Sequence, residues 1–96
     1  MMVIVSYDVS TVTAEGRKRL RRVAKACLNH GIRVQNSVFE CNVDNSQWVS
    51  FKSQLLDEYN PAEDSLRFYF LGNNYRHRVE HLGAKPAINV EDTLIV

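Results

Sequence analysis

The feature that most constrains this chain is its first strand. Met2-Val-Ile-Val-Ser-Tyr7 is a β-branched run that stops at Asp8, a pattern that predicts a strand. Side chains alternate across a strand, so Val3, Val5 and Tyr7 face one way and Met2, Ile4, Ser6 and Asp8 the other. Both faces are apolar for most of the length, as in a central strand covered on both sides. A chain of 96 residues with two helices can cover one side only. The other face is therefore expected to meet a second copy of the chain.

The remaining segments supply those helices and further strands. Thr13 is a plausible N-cap, and Leu20, Val23, Ala24, Cys27 and Leu28 recur at helical spacing, with Gly31 as the expected stop. Ile32 to Val43 is extended but long for one strand, and Asn36-Ser37 at its centre is either a hairpin turn or a bulge. A second helix opens at Asp44 to Ser46 and turns Trp48, Phe51, Leu55 and Tyr59 inward, until Asn60-Pro61 ends it. Ser65 to Leu71 predicts a strand with Leu66, Phe68 and Phe70 on one face. Gly72-Asn73-Asn74 is a turn, Arg76 to Leu82 a further strand, and Leu94-Ile95-Val96 an apolar tail suited to pairing along a sheet edge. The whole predicts one α+β domain over residues 1–96. Its architecture is a ferredoxin-like sandwich, an antiparallel sheet with two helices on one face and dimerisation through the other.

Charge narrows the function. The net +1 conceals seven basic against three acidic groups in residues 1–40, and five basic against eight acidic in residues 41–96. Six of the basic groups, Arg17, Lys18, Arg19, Arg21, Arg22 and Lys25, lie within nine residues of the first helix. That density is the footprint of a polyanion-binding face, although a solvated helix gives the same composition. No apolar run approaches the roughly 20 residues of a membrane helix, and Met1 to Asp8 lacks the basic region of a signal peptide. Cys27 and Cys41 are too few for a disulfide framework or an iron–sulfur cluster and lack CxxC spacing, so a cytoplasmic protein is expected.

Asp8 is the sharpest candidate for chemistry. A carboxylate at the end of a buried strand, before a polar loop and a basic helix, suits a hard cation such as Mg²⁺, which takes one or two protein carboxylates and keeps several waters. One aspartate is thin for such a site, but a two-fold axis through its face supplies a second. The alternative is an aspartate that caps the loop or pairs with Arg17, which helical geometry places on the inward half of the first turn. His77 and His81 are about 13 Å apart along a strand and cannot share a metal, and no nucleophile set or glycine-rich phosphate loop is present.

Several stretches resemble a known family. Val5-Ser-Tyr7-Asp8-Val9, Arg19-Leu-Arg-Arg-Val-Ala-Lys-Ala26 and Arg33-Val-Gln-Asn-Ser-Val-Phe-Glu40 are similar to the second of the universal CRISPR-associated proteins, the small adaptation-complex endonuclease. Leu71-Gly-Asn-Asn-Tyr75, Glu80-His-Leu-Gly-Ala-Lys-Pro86 and Glu91-Asp-Thr-Leu-Ile95 resemble its subtype I-C branch. The resemblance implies a ferredoxin-like homodimer with exchange of a C-terminal strand, here about residues 88–96, and one Mg²⁺ shared between two copies of Asp8. It implies metal-dependent cleavage of single-stranded RNA or double-stranded DNA, with Tyr7, Arg17, Arg33 and Phe39 at positions tied to that activity. The helix alignment leaves Arg17 and Arg19 as alternatives. It also implies a second role, as a non-catalytic bridge between CRISPR integrase subunits on DNA. A toxin-type ribonuclease and a small-molecule sensor on the same fold are further readings, and the basic helix has no use in the sensor.

Overall fold

The computed structural model describes residues 1–71 and 79–84. Its elements run β1 (Met2–Asp8), α1 (Ala14–Leu28), β2 (Gly31–Gln35), β3 (Val38–Asn42), α2 (Asn45–Glu58), β4 (Ser65–Phe70) and β5 (Val79–Gly83). The strands form one sheet in the order β2-β3-β1-β4-β5, antiparallel at every pairing. This is the expected α+β, ferredoxin-like arrangement with β1 at the centre and β5 added beyond β4.

Register explains where the core sits. Val5 lies opposite Phe39 on β3 and Phe68 on β4, Val3 opposite Cys41, and Tyr7 opposite Leu66. Partners in register share a sheet face, and all seven of these side chains are fully buried. Helix α1 covers them with Val23, Ala24 and Cys27, and α2 with Phe51 and Leu55. Trp48 of α2 stands edge-on to Phe68 and Phe70 at 5.0 and 5.1 Å, which fixes α2 on the same face as α1. Each fully buried aliphatic side chain contributes about 1.5–3 kcal/mol.

The other face carries Met2, Ile4, Ser6 and Asp8. Ile4 lies opposite Glu40 and Tyr69, and Ser6 opposite Val38 and Arg67. Ile32, in register with Glu40, is 61% exposed. Both helices are on the opposite side, so among the described residues this half-apolar surface has no helical cover.

Both helix starts follow local chemistry. Thr13 Oγ1 accepts the Gly16 N–H at 3.0 Å, and Asp44 and Gln47 form a reciprocal capping box. Two expectations are corrected. Leu28 is half exposed instead of completing the apolar stripe, because α1 ends there. Gly31 does not cap the helix, a position taken by Asn29 in ordinary right-handed conformation. Gly31 instead opens β2, where a Cβ would lie 1.8 Å from the Glu40 carbonyl oxygen. Asn36 and Ser37 form the β2–β3 turn, and the register also shifts between Arg33 and Gln35, so the hairpin carries an irregularity as well. The described part of β5 begins at Val79; the expected turn at Gly72-Asn73-Asn74 and the tail 88–96 lie outside the described residues.

Gly83 has φ +124°, and a Cβ there would lie 1.9 Å from the Asp64 carbonyl oxygen. Gly83→Ala is expected to lower the unfolding free energy by about 1–3 kcal/mol, read as a reduced urea midpoint with an unchanged slope.

Candidate functional site

Strand alternation divides β1 at its end. Asp8, the last residue, is exposed and lies in register with Ser65 at the start of β4. Tyr7, one residue earlier, turns to the helix side and is fully buried. Its hydroxyl donates to Oδ2 of Asp64, the residue immediately before β4.

Asp64 is itself fully buried and collects four donors. Arg19 reaches it from α1 with both arms of its guanidinium, Nε to Oδ2 at 2.8 Å and Nη2 to Oδ1 at 3.0 Å. The Asn60 N–H donates to Oδ2 at 3.0 Å, beside the Tyr7 hydroxyl. Arg19 Nη2 also meets Glu63 at 3.1 Å. The backbone of Asp64 is engaged too: its N–H donates to the Asn60 carbonyl at 2.7 Å, and its carbonyl accepts the Ala84 N–H at 2.9 Å. Burial pushes the Asp64 carboxyl up, but the Arg19, Tyr7 and Asn60 hydrogen bonds together outweigh it and hold the group below the usual carboxylate range. Burial, reinforced by the Asp64 charge, drives the Tyr7 phenol far above its ordinary value. The Asp64 hydrogen bonds push the Arg19 guanidinium up, so it stays a cation.

The other basic residues are arranged differently. Lys18, Arg21, Arg22 and Lys25 are exposed along the outer side of α1, as the helical spacing predicts. Arg22 meets Glu58 only loosely, at 3.9 Å. Arg17, expected beside Asp8, is exposed and folds back on the preceding loop, where its Nη1 donates to the carbonyls of Thr11 and Val12 at 3.0 and 3.1 Å. Those carbonyls lie within reach of a flexible side chain in the first helical turn. Gly16 brings the same loop close, since a Cβ there would sit 1.8 Å from the Ser10 carbonyl oxygen. Arg33 is exposed on β2 with its guanidinium 5.2 Å from the ring centre of Phe39, which is fully buried.

The candidate residues therefore fall into three groups. Asp8 stands exposed at the edge of the helix-free face. Lys18, Arg21, Arg22 and Lys25, with Arg17 and Arg33, form an exposed cationic surface on the helix side. Tyr7, Arg19 and Phe39 are packed inward, with Tyr7 and Arg19 joined through Asp64. Among the described residues no three His, Cys, Asp or Glu side chains come together as a metal cage. Sequence reasoning missed Asp64 and Asn60, whose only signal is a proline turn ending in two acids directly before a buried strand.

Comparison with known proteins follows the same outline. The family model for CRISPR associated protein Cas2 matches residues 1–79. The CRISPR-associated endoribonuclease Cas2 of Chlorobaculum tepidum is 62% identical over 96 residues, all of both chains. The CRISPR-associated endonuclease Cas2 of Halalkalibacterium halodurans is 58% identical over 95 residues, 99% of each chain. The crystal structure of Streptococcus pyogenes Cas2 at pH 6.5 superposes with a TM-score of 0.74 at 55% identity, covering 86% of this chain and 100% of that one.

The lowered carboxyl of Asp64 sets a pH dependence. Its contribution to stability is fully present above the unfolded-state value near 3.8 and is lost as pH falls through the lower folded-state value. Urea unfolding between pH 7 and pH 2.5 is expected to show a steeper acid loss in the wild type than in Asp64→Asn, with the two curves parallel above about pH 5.

Proposed function

The chain belongs to the Cas2 family of CRISPR-associated nucleases, and from that premise we propose that it is a Mg²⁺-dependent endonuclease acting in spacer acquisition on double-stranded DNA, single-stranded RNA or both. The observation that carries this reading is the position of Asp8, an exposed carboxylate ending the buried central strand on the face without helices. Its donor chemistry fits the ion: a hard oxygen, one per chain, with the remaining positions open to water. In this reading two chains meet through the face that carries Ile4, Val38 and Tyr69, and the two Asp8 carboxylates hold one ion. In the same reading the homodimer works in the cytoplasm with the CRISPR integrase subunit. The stretches around Leu71, Glu80 and Glu91 support a subtype I-C assignment.

Bound Mg²⁺ supplies polarisation of the phosphodiester and a water of lowered pKa. The chain's own contribution is electrostatic and positional. Lys18, Arg21, Arg22 and Lys25, with Arg17 and Arg33, hold phosphates by charge and read no sequence. This reading assigns no residue as general base, so a slow enzyme is expected. Asp8→Asn is expected to lower Mg²⁺-dependent cleavage of end-labelled RNA and duplex DNA at least about 100-fold, with an unchanged circular dichroism spectrum. Cleavage at the wild-type rate would refute the assignment.

A second reading, a non-catalytic DNA bridge, is favoured by the exposed row Lys18, Arg21, Arg22 and Lys25. Replacing Arg21, Arg22 and Lys25 together by Ala is expected to weaken duplex binding and reduce the slope of log K against log salt by about 2–3. If integrase-dependent spacer insertion follows this loss and ignores Asp8→Asn, the bridge is the working role.

A further inference from the structure

Two residues that the family resemblance ties to activity, Tyr7 and the candidate Arg19, have their polar atoms directed at one buried carboxylate. Tyr7 is fully buried and its hydroxyl meets Asp64, while Arg19 Nε and Nη2 meet the same group at 2.8 and 3.0 Å. A phosphate on the surface cannot reach a fully buried phenol. The Tyr7 hydroxyl can therefore act only through what it holds in place, and Arg19 commits Nε and Nη2 to the same carboxylate.

We propose that Asp64 is the positioning residue of the Asp8 site, and that Tyr7 and Arg19 serve the reaction through it instead of by touching nucleic acid. The inference rests on the reading of Asp8 as the metal-binding carboxylate. Asp64 directly precedes Ser65, which lies in register with Asp8, and its side chain returns to Tyr7, the neighbour of Asp8 on the opposite face. The end of β1 is thus held by the ladder to β4, by the Tyr7 N–H to the Ser37 carbonyl at 2.9 Å on the β3 side, and by the Tyr7–Asp64 bond from the helix side. Arg19 anchors the carboxylate to α1, Asn60 anchors it to the turn after α2, and the Asp64 carbonyl anchors β5 through Ala84. Four elements therefore meet at the point from which Asp8 projects. A metal shared between two chains tolerates about 0.5 Å of error in its ligands, and a fraying strand end does not meet that tolerance. The chemistry of the cluster argues the same way. An Arg–Asp pair buried for stability alone is commonly replaceable by apolar side chains at no loss, whereas a unique geometry needs directional bonds. Asp64→Asn removes that geometry without changing shape, because the amide presents an NH₂ group to donors that need an acceptor.

The test uses the full-length homodimer and three readouts: Mn²⁺ binding followed by the electron paramagnetic resonance of free Mn²⁺, steady-state cleavage, and urea unfolding. Asp64→Asn and Tyr7→Phe are the variants, the second keeping the ring and the Arg19–Asp64 pair should the first fail to fold. Asp8→Asn is the control. The expected result is Mn²⁺ binding weakened about tenfold and kcat lowered about tenfold, with KM for the nucleic acid within twofold of wild type, at temperatures where the variants are folded. Mn²⁺ affinity and kcat within twofold of wild type, beside a lowered urea midpoint, would show that Asp64 only stabilises the fold. A raised KM with unchanged kcat would place Tyr7 and Arg19 in contact with nucleic acid and overturn the inference. If Asp8→Asn binds Mn²⁺ as well as wild type, the reading of Asp8 itself fails, which the other two outcomes leave standing.

Discussion

The fully buried carboxylate of Asp64 is the interaction that ties the end of the central strand to the elements around it. A charge out of water is tolerated only when it is paired and fully hydrogen-bonded, and Asp64 meets that condition with Arg19, Tyr7 and the Asn60 N–H. Removing one partner of such a pair typically costs about 3–5 kcal/mol, since the other charge is left unmatched. The consequence is topological. Helix α1, strand β1, the start of β4 and the end of β5 converge on one residue, which directly precedes Ser65, the register partner of Asp8.

The two-residue period of β1 then separates the two kinds of chemistry. Val3, Val5 and Tyr7 enter the core beneath the helices, so the basic outer side of α1 is carried on that side of the sheet. Ile4, Ser6 and Asp8 face the other way, beside Val38, Arg67 and Tyr69. Arg67 lies along this face, with its Nη1 donating to the Tyr69 hydroxyl at 3.1 Å. A nuclease reading needs Asp8 on the second face as well as the cations of the first, whereas a DNA-bridging reading needs the cations alone. Substitution of Asp8 therefore separates the two proposed roles.

Much of this was legible in the sequence because local rules govern it. Alternation over residues 2–8, the helical stripe through Val23, Ala24 and Cys27, the Thr13 cap and the start of the second helix at Asp44 to Ser46 each depend on residues close together in the chain. The exposed row of cations on α1 followed from the same periodicity. What was not legible depends on distance along the chain. Asp64 meets Tyr7 and Arg19 across 57 and 45 positions, and no pattern around Asp64 announces either partner. Helical geometry placed Arg17 on the inward half of the first turn but did not show that its guanidinium would bond the carbonyls of Thr11 and Val12. Gly31 has the composition of a helix stop and is needed instead for close approach to β3. Tyr7 reads as an aromatic beside an acid, and only the packed structure shows its hydroxyl turned inward.

The central claim is that one chain supplies half of a metal site through Asp8. Native mass spectrometry of the full-length protein titrated with Mn²⁺ tests it most directly, because mass reports chain number and bound ions together. One ion per two chains, absent from Asp8→Asn at the same dimer mass, is the expected result. One ion per chain, or an ion retained by dimeric Asp8→Asn, would contradict a carboxylate pair shared across the two-fold axis.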